Sequence, residues 1–186
     1  MYKDDKTFTA SIGFAGPDSM TSSEDFEDLG LEEWGIDVTY NIGKTPAETA
    51  EGEAAGAKIT IKYSSPAVKG RTIWGDLVPF GKIWRAGAND ATTFTTSKDI
   101  TVEGQKLAAG TYSFFVIPGE STSTFVFNKV AKQWGTYTYD DKQDVLRVNV
   151  ASQQSSTMEE RLVYEIKGDS FEIRWEYGKA AAKIGA

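Results

Sequence analysis

One short stretch, Trp84-Arg85-Ala86-Gly87-Ala88-Asn89-Asp90, has the residue types best suited to holding a ligand. The guanidinium group of Arg85 is a fork of donors that fits a carboxylate or the hydroxyls of a sugar. The indole of Trp84 offers a flat face for stacking, and Gly87 lets the backbone approach a bound molecule closely. With two residues from outside this stretch, the candidate binding residues are Arg71, Trp84, Arg85, Asn89, Asp90 and Trp134.

Each of these candidates also has a structural interpretation. Arg85 would fix a loop to the domain if it paired with Asp90 or Asp76, and Arg71 has the same alternative with Asp76. Trp134 precedes two tyrosines, and such a group either forms a platform for a sugar ring or closes the core. The sequence leaves these alternatives open.

The absence of His and Cys from all 186 residues excludes many kinds of site. Nucleophilic sites built on His or Cys, zinc sites with such ligands, haem, iron–sulfur clusters and disulfides are ruled out. Catalysis would have to rest on carboxylates or other oxygen and nitrogen groups. The acidic run at 140–144 offers oxygen ligands for calcium but lacks the spacing and the glycine of the known calcium loop. We therefore predict no cofactor and no metal site.

Charge is distributed unevenly along the chain, whose net formal charge is −7. Residues 1–57 have 13 acids and 3 lysines, whereas residues 58–186 have 14 acids and 17 bases. Nucleic-acid binding depends on neutralising phosphates, so an acidic chain argues against that partner. The first residues show no signal peptide, and no apolar run is long enough to span a membrane.

Apolar and polar residues alternate along much of the chain, which is typical of half-buried β-strands. Clear examples are 58–63, 145–150, 161–167 and 170–177, and weaker ones are 7–14 and 36–42. Eight or nine short strands separated by turn signals predict an all-β fold, either an antiparallel β-sandwich or a partly closed barrel. A minor helix is predicted at 22–34, where serines precede an acidic first turn.

The last two strand segments predict a β-hairpin, because Gly168-Asp169 suits a two-residue turn. The register set by this turn pairs Ile166 with Phe171, Tyr164 with Ile173, Arg161 with Glu176 and Glu165 with Glu172. The last pair brings two carboxylates together, which is a small cost at an exposed site unless Arg174 or Lys167 lies between them.

Composition divides the chain into three parts. Residues 1–57 form an acidic N-terminal arm that ends in a loop at 44–57, residues 58–177 form the β-sandwich domain, and residues 178–186 form a frayed tail of small residues. A further polar loop is predicted at 153–157.

Residues 63–91 lack periodicity, although they hold two Trp, two Arg, four Gly and two Pro. A long irregular segment within a compact domain is usually functional or disordered, and its aromatic residues argue against disorder. This segment resembles the domain of unknown function 2911 family, small β-rich proteins found largely in bacterial cell envelopes. The resemblance covers roughly 58–150 and rests on these residues: Tyr63-Ser64, Pro66, Lys69-Gly70-Arg71, Gly75, Leu77-Val78-Pro79, Gly81, Trp84-Arg85, Gly87-Ala88-Asn89, Leu107 to Tyr112, Pro118-Gly119, Asn128, Trp134-Gly135, Tyr139 and Asp144 to Val148.

The resemblance implies export, to the periplasm or beyond, and supplies no reaction. Family members often have Thr at the position of Ala86 and Glu at the position of Asp90.

These observations favour a non-enzymatic β-sandwich of the cell envelope that binds a small polar ligand, a glycan or a protein partner. One alternative is a carboxylate-based hydrolase of glycosides or esters, with or without assistance from calcium. Another is a purely structural domain in which the irregular segment only holds the fold together.

Overall fold

The computed structural model describes residues 45–186, in which nine antiparallel strands form one continuous open sheet. The strands are β1 (Ala47–Ala54), β2 (Ala57–Ser64), β3 (Thr92–Thr96), β4 (Ile100–Val102), β5 (Gln105–Leu107), β6 (Gly110–Ile117), β7 (Thr122–Asn128), β8 (Asp144–Ile166) and β9 (Ser170–Gly185). Their order in the sheet is β1-β2-β3-β6-β7-β8-β9-β4-β5. The prediction of an all-β fold with eight or nine strands is confirmed.

The core contains phenylalanines from strands that are not neighbours in the sheet. Phe171 of β9 lies 5.1 Å from Phe94 of β3 and 5.5 Å from Phe125 of β7, measured between ring centroids. In the sheet, β6, β7 and β8 lie between β3 and β9. The sheet must therefore curve over, so that one face closes on itself around these buried rings.

The β8–β9 hairpin confirms the predicted register near its turn. Ile166 pairs with Phe171 and Glu165 with Glu172, but the register changes beyond Val163. Glu176 consequently lies opposite Glu159, and its predicted pairing with Arg161 is wrong.

The change of register arises because β8 takes a second partner. Between the pair Val163–Arg174 and the pair Gln154–Gly178, the two partners are nine residues apart along β8 but only four residues apart along β9. Within this stretch Arg161 forms a bridge with Ala67, at the start of the irregular segment. The backbone N–H of Val68 donates to Glu160 O at 2.7 Å, and that of Leu162 donates to Pro66 O at 3.0 Å. The hairpin thereby anchors the irregular segment.

Three local predictions are wrong. The predicted loop at 44–57 contains β1, the predicted loop at 153–157 lies within β8, and the predicted tail at 178–186 continues β9 to Gly185. In the tail, Ala180, Ala182 and Ile184 are buried in alternation, so small apolar residues there serve as the inward positions of a strand.

The predicted helix at 22–34 and the predicted strands at 7–14 and 36–42 lie outside the described residues. Within 45–186 the only helical element is a 3-10 turn at Asp141–Gln143. No helix in this range is long and apolar enough to cross a membrane.

Candidate functional site

The irregular segment is fixed to the sheet at Trp84. This residue forms a two-way backbone pair with Val116, in which N–O distances are 2.8 and 2.9 Å. On that edge of β6, the pairing with β3 ends where Thr92 meets Phe114. Trp84 therefore takes the next place along the same edge, and β6 sets the position of the residues around it.

Three tryptophans form an aromatic cluster: Trp74 and Trp84 belong to the irregular segment, and Trp175 belongs to β9. Trp84 stacks on Trp175 of β9 with 5.8 Å between ring centroids and a 16° angle between ring planes. Trp74 packs edge-on against both, at 5.7 and 6.3 Å. Such aromatic pairs stabilise a fold beyond the area that they bury.

The N–H groups of the three indoles differ in their partners. Trp74 Nε1 donates to Trp175 O at 3.0 Å, and Trp84 Nε1 donates to Gly87 O at 3.2 Å. Trp175 Nε1 is buried and has no hydrogen-bond partner within residues 45–186. One indole of the cluster thus keeps a donor that the described residues do not satisfy.

A pocket of about 400 Å³, here called the Arg85 pocket, opens beside this cluster. Within residues 45–186 its charged lining residues are all basic: Arg71, Lys82 and Arg85. The other described lining residues are Thr45, Pro66, Leu77, Val78, Pro79, Ile83, Trp84, Gly87, Ala88, Thr136 and Trp175. The Nε of Arg85 and the Nε1 of Trp175 are buried and have no hydrogen-bond partner among the described residues. The described lining is therefore positively charged, and two of its residues keep buried donors that residues 45–186 do not satisfy.

The predicted structural pairings of the two arginines are not formed. No ion pair within residues 45–186 joins Arg85 to Asp90 or Asp76, or Arg71 to Asp76. Arg71 instead donates from Nε to Val68 O at 3.0 Å and from its terminal nitrogen to Ala67 O at 2.6 Å. Backbone carbonyls hold its guanidinium group and leave its charge uncompensated by a carboxylate.

The other three predicted residues lie beside the pocket and do not line it. Asn89 adopts a left-handed backbone with φ of 59°, and its carbonyl accepts from Gly135 N at 3.1 Å. Asp90 forms a backbone bridge with Trp134, whose side chain is 40% exposed. These contacts bring Gly135 so near Arg85 that an added Cβ would lie 3.0 Å from a guanidinium nitrogen. The structure thus brings Arg71, Trp84 and Arg85 together.

Sequence reasoning missed Lys82 and Trp175. Lys82 lies in the irregular segment but outside the stretch of residues 84–90. Trp175 alternates with other buried residues of β9, so its position predicted only a core role. Nothing in the sequence indicates that its ring stacks on Trp84, about ninety positions earlier.

The acidic run at 140–144 is used within the fold. Asp140 accepts from Lys142 N at 3.0 Å and caps the 3-10 turn. Asp144 accepts from Asn128 at 2.9 Å, from the Tyr139 hydroxyl at 2.6 Å and from Arg147 at 2.8 Å. Burial, and then the hydrogen bond to Asp144, raise the pKa of Tyr139 to about 12. Among residues 45–186, no three acidic side chains are placed to hold a metal ion.

Comparison with known proteins supports the resemblance that the irregular segment suggests. No curated protein and no solved structure gives a significant match. The family model described as "Protein of unknown function (DUF2911)" matches residues 45–184, which include all of the sheet except the last residue of β9. The chain belongs to this family.

Proposed function

We propose that this domain is a binding module of the cell envelope that holds a small anionic ligand in the Arg85 pocket and does not catalyse a reaction. The envelope location rests on the family resemblance. The observation that carries the proposal is that the charged residues lining this pocket within 45–186, Arg71, Lys82 and Arg85, are all basic and form no ion pair with a described carboxylate.

The unpaired charges of the pocket support an anionic ligand at this place. Within residues 45–186 no carboxylate forms an ion pair with Arg85. A carboxylate or phosphate oxygen bound to the guanidinium group would supply that partner, and a hydrogen bond to a charged group contributes about 1.5–3 kcal/mol. Arg71 and Lys82 would add attraction, because neither is paired with a described carboxylate.

The size and walls of the pocket indicate the class of ligand. Its volume of about 400 Å³ suits a small molecule, since such sites usually measure about 300–1,000 Å³. Trp84 and Trp175 contribute aromatic surface and Leu77 and Val78 aliphatic surface. We expect an anionic group attached to a flat or apolar body, rather than a bare inorganic ion.

Calorimetric titration of the full chain tests this expectation. The probes are phenyl phosphate and benzoate as anions, benzamide as the neutral analogue of benzoate, and inorganic phosphate as the ion without a ring. We expect an anionic ring compound to bind and Arg85→Met to weaken its binding about tenfold or more, because a hydrogen bond to a charged group contributes about 1.5–3 kcal/mol.

Matched variants separate a specific site from general charge. Lys82→Met removes a charge that lines the pocket, whereas Lys129→Met removes an exposed charge that does not. Only the first should weaken binding. If benzamide binds as well as benzoate, or if Arg85→Met binds like the unaltered chain, the anion site is disproved.

A further inference from the structure

A second cavity, of about 380 Å³, adjoins the same tryptophan cluster. Trp74 lines this cavity, whereas Trp84 and Trp175 line the Arg85 pocket. We call it the Tyr177 cavity. Its lining includes the aromatic residues Trp74, Phe80 and Tyr177 and the charged residues Glu120, Glu176 and Lys179.

The cavity lies where the alternation of buried and exposed residues along β9 shifts by one position, which we call the phase change of β9. Before this point the buried residues of β9 have odd numbers, at Phe171, Ile173 and Trp175, and after it they have even numbers, from Ala180 onward. Glu176, at the change, has a left-handed backbone with φ of 55°. Such a conformation is rare for a residue with a side chain and is concentrated at functional positions.

The phase change has a direct effect on the cavity. In a regular strand, consecutive side chains point to opposite faces of the sheet. Here the consecutive residues Glu176 and Tyr177 both line one cavity. Bulges of this kind redirect side chains, and they recur beside binding sites.

The aromatic residues of the cavity leave apolar surface open. Tyr177 is 51% exposed and Phe80 is 39% exposed. Trp74 is held in place by its hydrogen bond to Trp175 O and by Gly178, where an added Cβ would lie 2.7 Å from Trp74 Cε2. The cavity therefore has one fixed aromatic wall and two exposed aromatic rings.

The polar residues complement an uncharged ligand with many hydroxyls. Within residues 45–186, the carboxylates of Glu120 and Glu176 form no ion pair, so both can accept hydrogen bonds. Gln153 and Gln154 also line the cavity, and their amides can offer donors and acceptors. The two carboxylates disfavour an anion, and Lys179 offsets the charge of one of them.

We propose that the Tyr177 cavity binds a neutral saccharide, with a sugar ring against the aromatic side chains and its hydroxyls bonded to the carboxylates and amides. A sugar ring presents an apolar face of C–H groups and a rim of hydroxyls, which is the combination that this lining matches. The site is distinct from the Arg85 pocket and does not depend on the anion proposed there.

Titration of the full chain with neutral trisaccharides tests the proposal. The probes are cellotriose, maltotriose and tri-N-acetylchitotriose, with trigalacturonate as the acidic comparison. Binding is followed by calorimetry and by the NMR signal of the Trp74 indole N–H. We expect at least one neutral probe to bind and to shift that signal. Tyr177→Ala should weaken binding about tenfold, and Glu176→Gln should weaken it about fivefold.

Two controls make the result specific. Trp134→Ala removes an exposed aromatic residue that does not line the cavity, and Arg85→Met alters only the other pocket. Both should bind the sugar like the unaltered chain, and circular dichroism verifies that each variant is folded. The proposal is overturned if no neutral probe binds at about 10 mM, if trigalacturonate binds more tightly than the neutral probes, or if folded Tyr177→Ala binds normally.

Discussion

Two arginines of this domain, Arg174 and Arg85, have opposite environments. Arg174 on β9 contacts three carboxylates, those of Glu159, Glu165 and Glu172, at 3.2, 2.7 and 2.6 Å. Among residues 45–186, Arg85 has a buried Nε without a partner and lines a pocket whose other charged residues are also basic. The guanidinium group of Arg174 is paired with carboxylates of the fold, whereas that of Arg85 has no carboxylate partner among the described residues.

The difference separates a stabilising charge from one available to a ligand. The carboxylates around Arg174 would repel one another without it, and its three contacts raise its own pKa and lower that of Glu165. The pairing of Glu165 with Glu172 is therefore no defect, since Arg174 lies between them as one of the sequence-based alternatives proposed. Arg85 has no carboxylates to hold together among the described residues.

The largest effect is expected from Trp175, which belongs to both regions: it follows Arg174 in β9 and lines the Arg85 pocket. Trp175 is 2% exposed and packs against two other indoles. We expect Trp175→Ala to lower the free energy of unfolding by about 3–5 kcal/mol, measured by urea denaturation. Trp134→Ala, at an exposed position, is the control and should lower it by less than about 1 kcal/mol. Equal losses would contradict the central place of the cluster.

A smaller effect is expected from Arg174→Met at pH 7, about 1–2 kcal/mol of stability, because solvent screens this partly exposed group. The pKa of Glu165 is lowered, so its stabilisation is present above its unfolded value of 4.5 and is lost as the pH falls through the folded value. The difference between the variant and the unaltered chain should therefore shrink in acid. Lys58→Met, which removes an exposed pair with Glu51, should have almost no effect. A pH-independent loss would show that Arg174 acts through packing.

The smallest effect on stability is expected from Arg85→Met. Methionine keeps an apolar stem of similar length and removes a buried donor that has no partner among residues 45–186. The gain from removing that donor and the lost packing of the guanidinium group oppose each other, so we expect a net change within about 0.5 kcal/mol. Urea denaturation in the absence of ligand measures it. A loss above about 2 kcal/mol would favour the purely structural hypothesis, in which the irregular segment holds the fold together.

The sequence predicted the fold best where alternation was clear. The all-β class and the hairpin register near Gly168 followed from alternation and turn chemistry. The register beyond Val163 did not, because it depends on residues 66–68 pairing with β8 from almost a hundred positions away. The alternation of Phe171, Ile173 and Trp175 continues to Tyr177 in the sequence, yet Tyr177 is exposed because β9 changes phase there.

The candidate site was predicted in part for a similar reason. Arg71, Trp84 and Arg85 stood out because they lie in an irregular segment rich in aromatic and basic residues. Their common pocket and the contribution of Trp175 depend on the curvature of the sheet, which no local pattern specifies. The alternating alanines near the C-terminus could have predicted the end of β9. Because these residues are small, they were interpreted as a frayed tail.

The position of β1 at one end of the sheet has a consequence for association between copies. Among residues 45–186 its only neighbour in the sheet is β2, so its other side is an edge of the described sheet. Edges of this kind invite a strand from another molecule. Glu48, Glu51 and Glu53 are exposed along β1, and a second copy of the strand would bring their charges together. Repulsion between these carboxylates would disfavour the pairing of two copies along that edge.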